Sequence, residues 1–445
     1  MNNLSGLGVV ALCGAVCAFV VTLQMGYPNE GFSVRKKILS WFRLGEKPST
    51  LSKMDVAASV AGQTQFTVDL YKTLVKGKES ENVVLSPLSV DLALAMLTAG
   101  AKGPTREQIS KCIKLPQGKP LHDFSSHLRK TVLSNQQGDG GPELALANRL
   151  WVEQSVKLKP AFQKILQESY GSEAASVDFI SKAAEALAKV NKWAKDETHG
   201  KIENLLPAGS VDHDTRVVLA NALYFKGAWK KQFDDYHTRE EDFYLLDGKT
   251  IKVSMMHTSQ RQYVKSFPTF KALRLPYSAG HDERLFSMFI LLPSEKYGLV
   301  ELEKALDAKT LAEDLQHVKQ LLPVSKFELP KFKISSGFEV PKALESMGLT
   351  LPFGREADLT EMLDSPVSDK LYVSNIYHKT FVEVNEKGTE AAAATALTVT
   401  AKSLQMYTDD PVEFVCDHPF MFVIKEEHSN VVIFTGRVTD PSLAQ

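Results

Sequence analysis

The amino-acid sequence predicts an α+β fold, because helical patterns fill the first half of the chain and strand-like segments dominate the second. Apolar residues recur at spacings of three and four in residues 65–74 and 89–99, which is the period of an amphipathic helix. Beyond residue 52 there is no internal repeat, low-complexity tract or long linker. We therefore expect one large domain over residues 53–445 rather than several smaller ones.

The remaining elements follow in chain order. The helix at residues 89–99 has a recognisable start, since Ser86-Pro-Leu-Ser supplies a capping hydroxyl and a proline for its first turn. A third helix is predicted over residues 183–193, and the side chains along one of its sides are Ala184, Leu187, Val190 and Asn191. Runs of β-branched and aromatic residues bounded by turns predict later strands at residues 217–225, 286–292, 382–384, 420–424 and 431–434.

The N-terminal segment, residues 1–29, is predicted to be an apolar leader, because residues 7–23 are almost continuously apolar. This length is at the short end for a membrane-spanning helix. A cleaved signal peptide would carry basic residues before the span, but here they follow it: Arg35, Lys36, Lys37 and Arg43. This pattern favours a signal-anchor with a cytosol-facing body, joined by a basic and polar linker over residues 30–52. Two alternatives stay open: a cleaved leader with an extracellular body, and a wrongly assigned start.

Composition excludes several classes of protein. Hydrophobic residues make up 44% of the 445-residue chain, which excludes a mainly disordered or collagen-like protein. The 52 basic and 53 acidic side chains leave a net charge of -1, so no global field attracts nucleic acid, and we expect no such partner. Cys13 and Cys17 lie in the leader, and a single bridge between Cys112 and Cys416 cannot be decided from sequence.

The sequence contains no recognisable catalytic constellation. The HExxH, GxSxG, P-loop and CxxC patterns are all absent from it. The scattered histidines, among them His213, His257, His378 and His418, are interpreted as structural or surface residues. We therefore predict no enzyme activity, no metal site and no cofactor, and we favour binding or inhibition.

The most informative segment covers residues 386–411, between strand-like residues 381–384 and 414–424. Its run of four alanines, residues 391–394, is too small to build a core and favours a helix, but the run passes into a strand-favouring Leu-Thr-Val-Thr. Lys402 is its only basic residue after Lys387, and the small Ser403 follows it. A trypsin-like pocket with a buried acid would accept such a lysine.

Seven motifs lie at 82–89, 218–229, 327–332, 357–360, 378–390, 417–422 and 434–441, and together they span some 360 residues. With these motifs in this order, the chain resembles the serpin family of protease inhibitors, and its plant branch most. The resemblance implies helices around three β-sheets and an exposed reactive-centre loop. It also implies suicide inhibition, in which the protease cuts the loop, stays acylated to it and is carried off as the loop inserts into the main sheet.

Carried over by position, the resemblance implies the residues of the reactive loop. The insertion hinge starts with Glu386, Gly388 and Thr389. The small-residue stretch that follows is Ala391, Ala392, Ala393 and Ala394. The family's usual spacing places the scissile bond at Lys402-Ser403, with a shift of one or two residues left open because residues 403–419 are somewhat longer than in many relatives.

The resemblance also implies a polar cluster beneath the sheet where its strands must part, formed by Ser86, Ser89, Asn221 and His378. Trp229 corresponds to an aromatic residue at the top of the sheet, where the hinge enters. Ordinary core packing is the alternative interpretation of all five residues.

The function that we expect is inhibition of a trypsin-like serine protease through a covalent complex with the monomeric inhibitor. An Arg/Lys-directed cysteine protease is a further expected target, since it also cleaves after a basic residue. The alternative is a non-inhibitory serpin that acts as a binding or storage module. Membrane association is expected only through residues 7–23.

Overall fold

The structure is a computed structural model of the chain and describes residues 51–134, 141–281, 283–364, 371–389 and 409–443.

Capping side chains fix where the first helices begin. Ser52 Oγ accepts a hydrogen bond from the Asp55 backbone N–H at 3.1 Å, and the Asp55 carboxylate accepts one from the Ser52 N–H at 3.0 Å. Ser86 Oγ likewise accepts from the Ser89 N–H at 3.2 Å, just before a helix that begins with Pro87.

The described residues contain nine α-helices: α1 (Lys53–Val75), α2 (Pro87–Gly100), α3 (Gly103–Ile113), α4 (Lys119–Thr131), α5 (Pro160–Ile165), α6 (Phe179–Glu197), α7 (Leu299–Ala305), α8 (Ala308–Ala312) and α9 (Val340–Ser346). Helix α2 is buried along its whole length and contacts β-strands on two sides. Its predominantly apolar sequence fits that position, because a helix that is apolar all round belongs in a core.

The strands are β1 (Val83–Leu85), β2 (Glu143–Glu153), β3 (Ala174–Val177), β4 (Val217–Ala228), β5 (Arg239–Tyr244), β6 (Thr250–His257), β7 (Gln262–Ser266), β8 (Phe270–Pro276), β9 (Phe286–Pro293), β10 (Leu321–Leu322), β11 (Val324–Pro330), β12 (Phe332–Glu339), β13 (Asn375–Asn385), β14 (Gly388–Thr389), β15 (Val412–Val415), β16 (Phe420–Glu426) and β17 (Val432–Val438). Within the described ranges these strands form three sheets. One has the order β1-β17-β16-β9-β8-β7-β10, the second β15-β11-β6-β5 and the third β12-β13-β14-β4-β2-β3.

The third sheet is the one that positions the candidate site. Its central strands β4 and β13 run parallel and pair from Asn375–Val218 to Phe381–Tyr224. Helix α6 covers this sheet through an apolar cluster that includes Trp151, Val190 and Trp193. On the other side α2 contacts β4, so the sheet is buried on both faces.

The predicted fold class is confirmed, and the predicted helices and strands fall within α1, α2, α6, β4, β9, β13, β16 and β17, except that β17 begins at Val432, one residue after the predicted start. Two details were wrong. Residues 414–424 are not one strand, because β15 ends at Val415 and β16 begins only after Pro419, which has no N–H to donate to a sheet. Ala184 is exposed, since α6 turns Ala186 and Val190 toward the sheet instead.

Both cysteines of the body are free: Cys112 is half-buried and Cys416 is buried. The chain from Leu51 onward forms one compact unit. None of the helices in the described ranges combines the length and apolar character that a membrane crossing requires. The leader and linker, residues 1–50, lie outside the described residues.

Candidate functional site

The hinge is a two-residue strand, β14, held between the ends of β13 and β4. Gly388 pairs with Asn385 on one side and with Ala228 on the other. Thr389 pairs in the same way with Val384 and Gly227. Strand β14 is antiparallel to both neighbours. Because it lies between β4 and β13, the seam between these two strands is already parted at this end, whereas it is closed along the seven residue pairs below.

Only glycine fits at position 388. A Cβ atom added there would collide with the carbonyl oxygen of Gly227 and lie 2.8 Å from the Cα of Ala228. Both contacts are with backbone, which cannot rotate away as a side chain would. Gly388 therefore allows the chain to enter the narrow gap between the two strands.

Thr389 is fully buried and forms a hydrogen bond with Tyr277, whose Oη lies 2.6 Å from Thr389 Oγ1. The ring of Tyr277 stacks on Trp229, with ring centroids 4.6 Å apart. Trp229 Nε1 in turn donates to the carbonyl oxygen of Asn385 at 2.9 Å. These contacts place Trp229 against the turn where β13 leads into β14.

The turn itself is held by Glu386. Its carboxylate accepts a hydrogen bond from Thr238 Oγ1 at 2.7 Å and lies 3.0 Å from Lys331 Nζ. Burial would raise the pKa of Glu386, but the Thr238 hydroxyl and the Lys331 ammonium stabilise the charged form and hold that pKa below its ordinary value. The backbone N–H of Phe233 also donates to the Glu386 carbonyl oxygen, at 2.9 Å.

A buried polar cluster lies beneath the closed part of the seam. Asn221 on β4 and His378 on β13 are direct register partners, and Nδ1 of His378 contacts Oδ1 of Asn221. Ser89 Oγ donates to that same Asn221 oxygen at 2.8 Å, and Asn221 Nδ2 donates to the Ser89 carbonyl oxygen at 2.7 Å. Asn221 Nδ2 also contacts Oδ1 of Asn148 on β2. The cluster thus joins the start of α2 to both strands of the seam.

The hydrogen bonds determine the protonation state of His378. The Ser86 backbone N–H can only donate, so His378 Nε2, 3.1 Å away, must accept. The ring proton is then on Nδ1, where it is donated to Asn221. Burial lowers the pKa of His378 to about 3, so the ring is neutral near pH 7.

The structure thus brings Ser86, Ser89, Asn221 and His378 together and places Trp229 beside the hinge. The small-residue stretch and the scissile pair lie outside the described residues: Ala391, Ala392, Ala393, Ala394, Lys402 and Ser403. Sequence reasoning missed the partners Asn148, Thr238, Tyr277 and Lys331. Each is joined to the site only through long-range pairing, which no local pattern reveals.

Comparison with known proteins agrees with this geometry. Residues 61–441 match the model of the family described as Serpin (serine protease inhibitor). Serpin-ZXA of Oryza sativa subsp. japonica is 46% identical over 396 residues, which cover 88% of this chain and 99% of that protein. Serpin-Z2B of Triticum aestivum is 45% identical over 398 residues, or 89% of this chain and 100% of that protein.

Solved structures show the same likeness in three dimensions. The Arabidopsis AtSerpin1 structure, in its native stressed conformation, has a TM-score of 0.80 and 40% sequence identity, and the match covers 88% of this chain and 100% of that one. Serpin48 of the insect Tenebrio molitor has a TM-score of 0.72 and 31% identity, over 88% of this chain and 99% of that one.

Proposed function

The chain belongs to the serpin family, which is described as a family of serine protease inhibitors, and we propose that it is a suicide inhibitor that works by loop insertion. The observation that carries this proposal is β14. A strand that already occupies one end of the β4–β13 seam, hydrogen-bonded on both sides, is the first step of a longer insertion.

The proposed reaction begins as ordinary proteolysis. The nucleophile of the protease attacks the carbonyl carbon of Lys402, the bond to the nitrogen of Ser403 breaks, and that nitrogen leaves as an amine after taking a proton. Residues up to Lys402 stay attached to the protease as an acyl ester or thioester. If insertion is faster than hydrolysis of that bond, the protease is trapped.

The seam supports this step energetically. Residues 389–402 would extend over roughly 45 Å as a strand, enough to carry an attached protease past a small domain. The inserted strand would gain hydrogen bonds on both sides, while Asn221 and His378 would have to separate. The polar cluster is therefore proposed to set the cost of opening, and Gly388 and Thr389 to allow entry.

The proposed targets are proteases that cleave after a basic residue. Lys402 is the only basic residue between Lys387 and Lys425, so the preference follows from that one side chain. A trypsin-like serine protease fits it, and so does an Arg/Lys-directed cysteine protease.

Incubation of the full chain with trypsin tests the proposal. We expect a complex that survives SDS, together with a released peptide whose N-terminus is Ser403. Lys402→Ala is the matched control, because it removes the basic side chain and leaves the hinge residues unchanged; it should form no complex with trypsin. Cleavage after Lys402 without any complex would contradict inhibition and favour a binding or storage role.

We also propose that residues 7–23 anchor the protein with its body facing the cytosol, based on the basic residues that follow the span. In sealed microsomes the body should then be digested by added protease without detergent. Protection of the body until detergent is added would overturn this orientation and favour a translocated, extracellular protein.

A further inference from the structure

Three side chains that commonly bind metals meet on the four-stranded sheet, away from the hinge. His257 ends β6, Glu241 lies on β5 and Glu328 lies on β11. Each offers one ligand atom, and these three atoms all lie within 4.8 Å of one another. A single ion placed among them would be within reach of all three ligands after small side-chain rotations.

His257 is the member of this group whose environment is unexplained by protein contacts alone. Its Nε2 atom is buried and has no hydrogen-bond partner among the described residues. Glu241 Oε1 lies 3.9 Å from this nitrogen, too far for a hydrogen bond. A buried ring nitrogen without a partner is destabilising, and a bound cation would satisfy it.

Glu328 supplies a second, well-fixed ligand. It is the register partner of His257 across β11 and β6, so the two side chains leave the same face of the sheet. Its side chain is only 8% exposed, which holds the carboxylate in one place. Glu241, at 37% exposed, faces the same cleft from the neighbouring strand.

Two cationic side chains lie near these carboxylates. Lys326 Nζ lies 3.0 Å from Glu328 Oε1, and Arg239 lines the same cleft. Lys326 is 54% exposed, so its flexible side chain can turn into solvent at little cost. A doubly charged ion held by two carboxylates would replace it with a stronger interaction.

We propose that His257, Glu241 and Glu328 form a binding site for a divalent transition-metal ion of the zinc class. One imidazole nitrogen with two carboxylate oxygens suits Zn²⁺ or Co²⁺, whereas Mg²⁺ and Ca²⁺ prefer ligand sets made only of oxygen. The cleft has a volume of about 540 Å³ and is also lined by His237. It therefore has room for a water molecule as a fourth ligand.

The site has a structural consequence for the segment that follows the reactive loop. Strand β11 pairs not only with β6 but also with β15, where Val415 is the register partner of Glu328. The backbone N–H of Cys416 donates to the Glu328 carbonyl oxygen at 2.9 Å. A metal ion that ties β5, β6 and β11 together would stabilise the sheet to which β15 is attached.

Zinc binding by the full chain tests this proposal, measured by competition with a chromophoric zinc chelator. We expect one ion per chain, with His257→Gln and Glu241→Gln each weakening binding by at least about tenfold. The matched controls are His213→Gln, an exposed histidine elsewhere, and Glu240→Gln, the adjacent carboxylate on β5; both should bind zinc as the unchanged chain does.

Cobalt gives a second readout that does not depend on affinity. With Co²⁺ the unchanged chain should show visible absorption bands from a protein-bound ion, and His257→Gln should lose them. Glu241 is partly exposed, so its substitution leaves the fold intact even if changes at buried Glu328 do not. The proposal would be overturned if the unchanged chain bound no zinc, or if the His257→Gln and Glu241→Gln variants bound zinc as tightly as the unchanged chain does.

Discussion

At the scale of single residues, His378 links the chemistry of one side chain to the opening of a sheet. It is the only ionisable group in the polar cluster, and its ring accepts from Ser86 and donates to Asn221. A second proton on the ring would turn the acceptor into a donor facing the Ser86 N–H. The hydrogen-bonded cluster and a charged His378 are thus incompatible.

This incompatibility predicts a pH dependence. The pKa of His378 is about 3 in the folded chain against an ordinary 6.5, so between these values the unfolded chain binds one more proton. Folding stability should therefore fall as the pH drops below 6.5, by about 1.4 kcal/mol per pH unit. We expect the free energy of unfolding, measured by urea denaturation, to be about 1.4 kcal/mol lower at pH 5.5 than at pH 7.5 because of the titration of His378.

His378→Gln isolates the contribution, because glutamine can accept and donate at similar positions but does not titrate. The difference between pH 7.5 and 5.5 should shrink by the predicted amount in this variant. His213→Gln, at an exposed site, should keep the full difference. An unchanged pH difference in His378→Gln would show that the ring is not the titrating group.

At the scale of elements, the turn between β13 and β14 depends on one carboxylate. Removing it in Glu386→Ala takes away the partner of Thr238 Oγ1 and of Lys331 Nζ. The turn should then open more often. Hydrogen exchange of the Trp229 and Phe233 amides, which donate to the carbonyl oxygens of Lys387 and Glu386, should become about tenfold faster.

Glu383→Ala provides the control for this measurement, since Glu383 lies on β13, the strand that leads into the turn, three residues before Glu386. It should leave exchange at Trp229 and Phe233 unchanged. Equal acceleration in both variants would mean that β13 as a whole has loosened, and the specific role of Glu386 would be refuted.

The helices could be predicted from sequence because the signals that specify them lie within a few residues of one another. The periodic apolar residues of α1 and the Ser86 cap of α2 are visible without knowing what they pack against. Strand β2 was missed, although it pairs along ten residues of β4, since its side chains alternate poorly between buried and half-buried. Its partner, not its own sequence, makes it a strand.

The candidate site likewise has one part that could be predicted from sequence and another part that could not. The polar cluster could be expected from a family resemblance, but Asn148 joins it only because β2 places that residue opposite Asn221. No pattern in the sequence indicates that Gly388 and Thr389 form a strand of two residues. The proposed metal site was missed for the same reason: His257 was interpreted as a structural or surface residue, because it meets Glu241 and Glu328 through strand pairing and not through a motif.

At the scale of the whole molecule, the six-stranded sheet contains two arrangements of β4 and β13, one closed and one open. Along the seam, seven residue pairs and the polar cluster hold β4 and β13 together. At its end, β14 has already separated them. Insertion of residues 389–402 would extend the second arrangement at the expense of the first, which requires each inserted side chain to fit a buried sheet.

This requirement predicts how Thr389→Arg will behave. Thr389 is fully buried, and its hydroxyl contacts Tyr277 in an apolar setting, so a charged guanidinium at this position would have no partner. After cleavage at Lys402, the unchanged chain should melt at least about 10 °C higher, because some thirteen further residues, 390–402, gain sheet hydrogen bonds of about 1 kcal/mol each. Cleaved Thr389→Arg should show little gain and should form no SDS-stable complex with trypsin.

Thr389→Ser separates the charge from the loss of threonine, since serine keeps the hydroxyl that faces Tyr277. It should form the complex and gain thermal stability on cleavage as the unchanged chain does. The two readouts also distinguish two failures. If cleaved Thr389→Arg gains full stability, a charge does not oppose entry at this position. If the unchanged chain gains none, the seam does not accept the loop, and β14 is a static feature of the sheet rather than the beginning of its insertion.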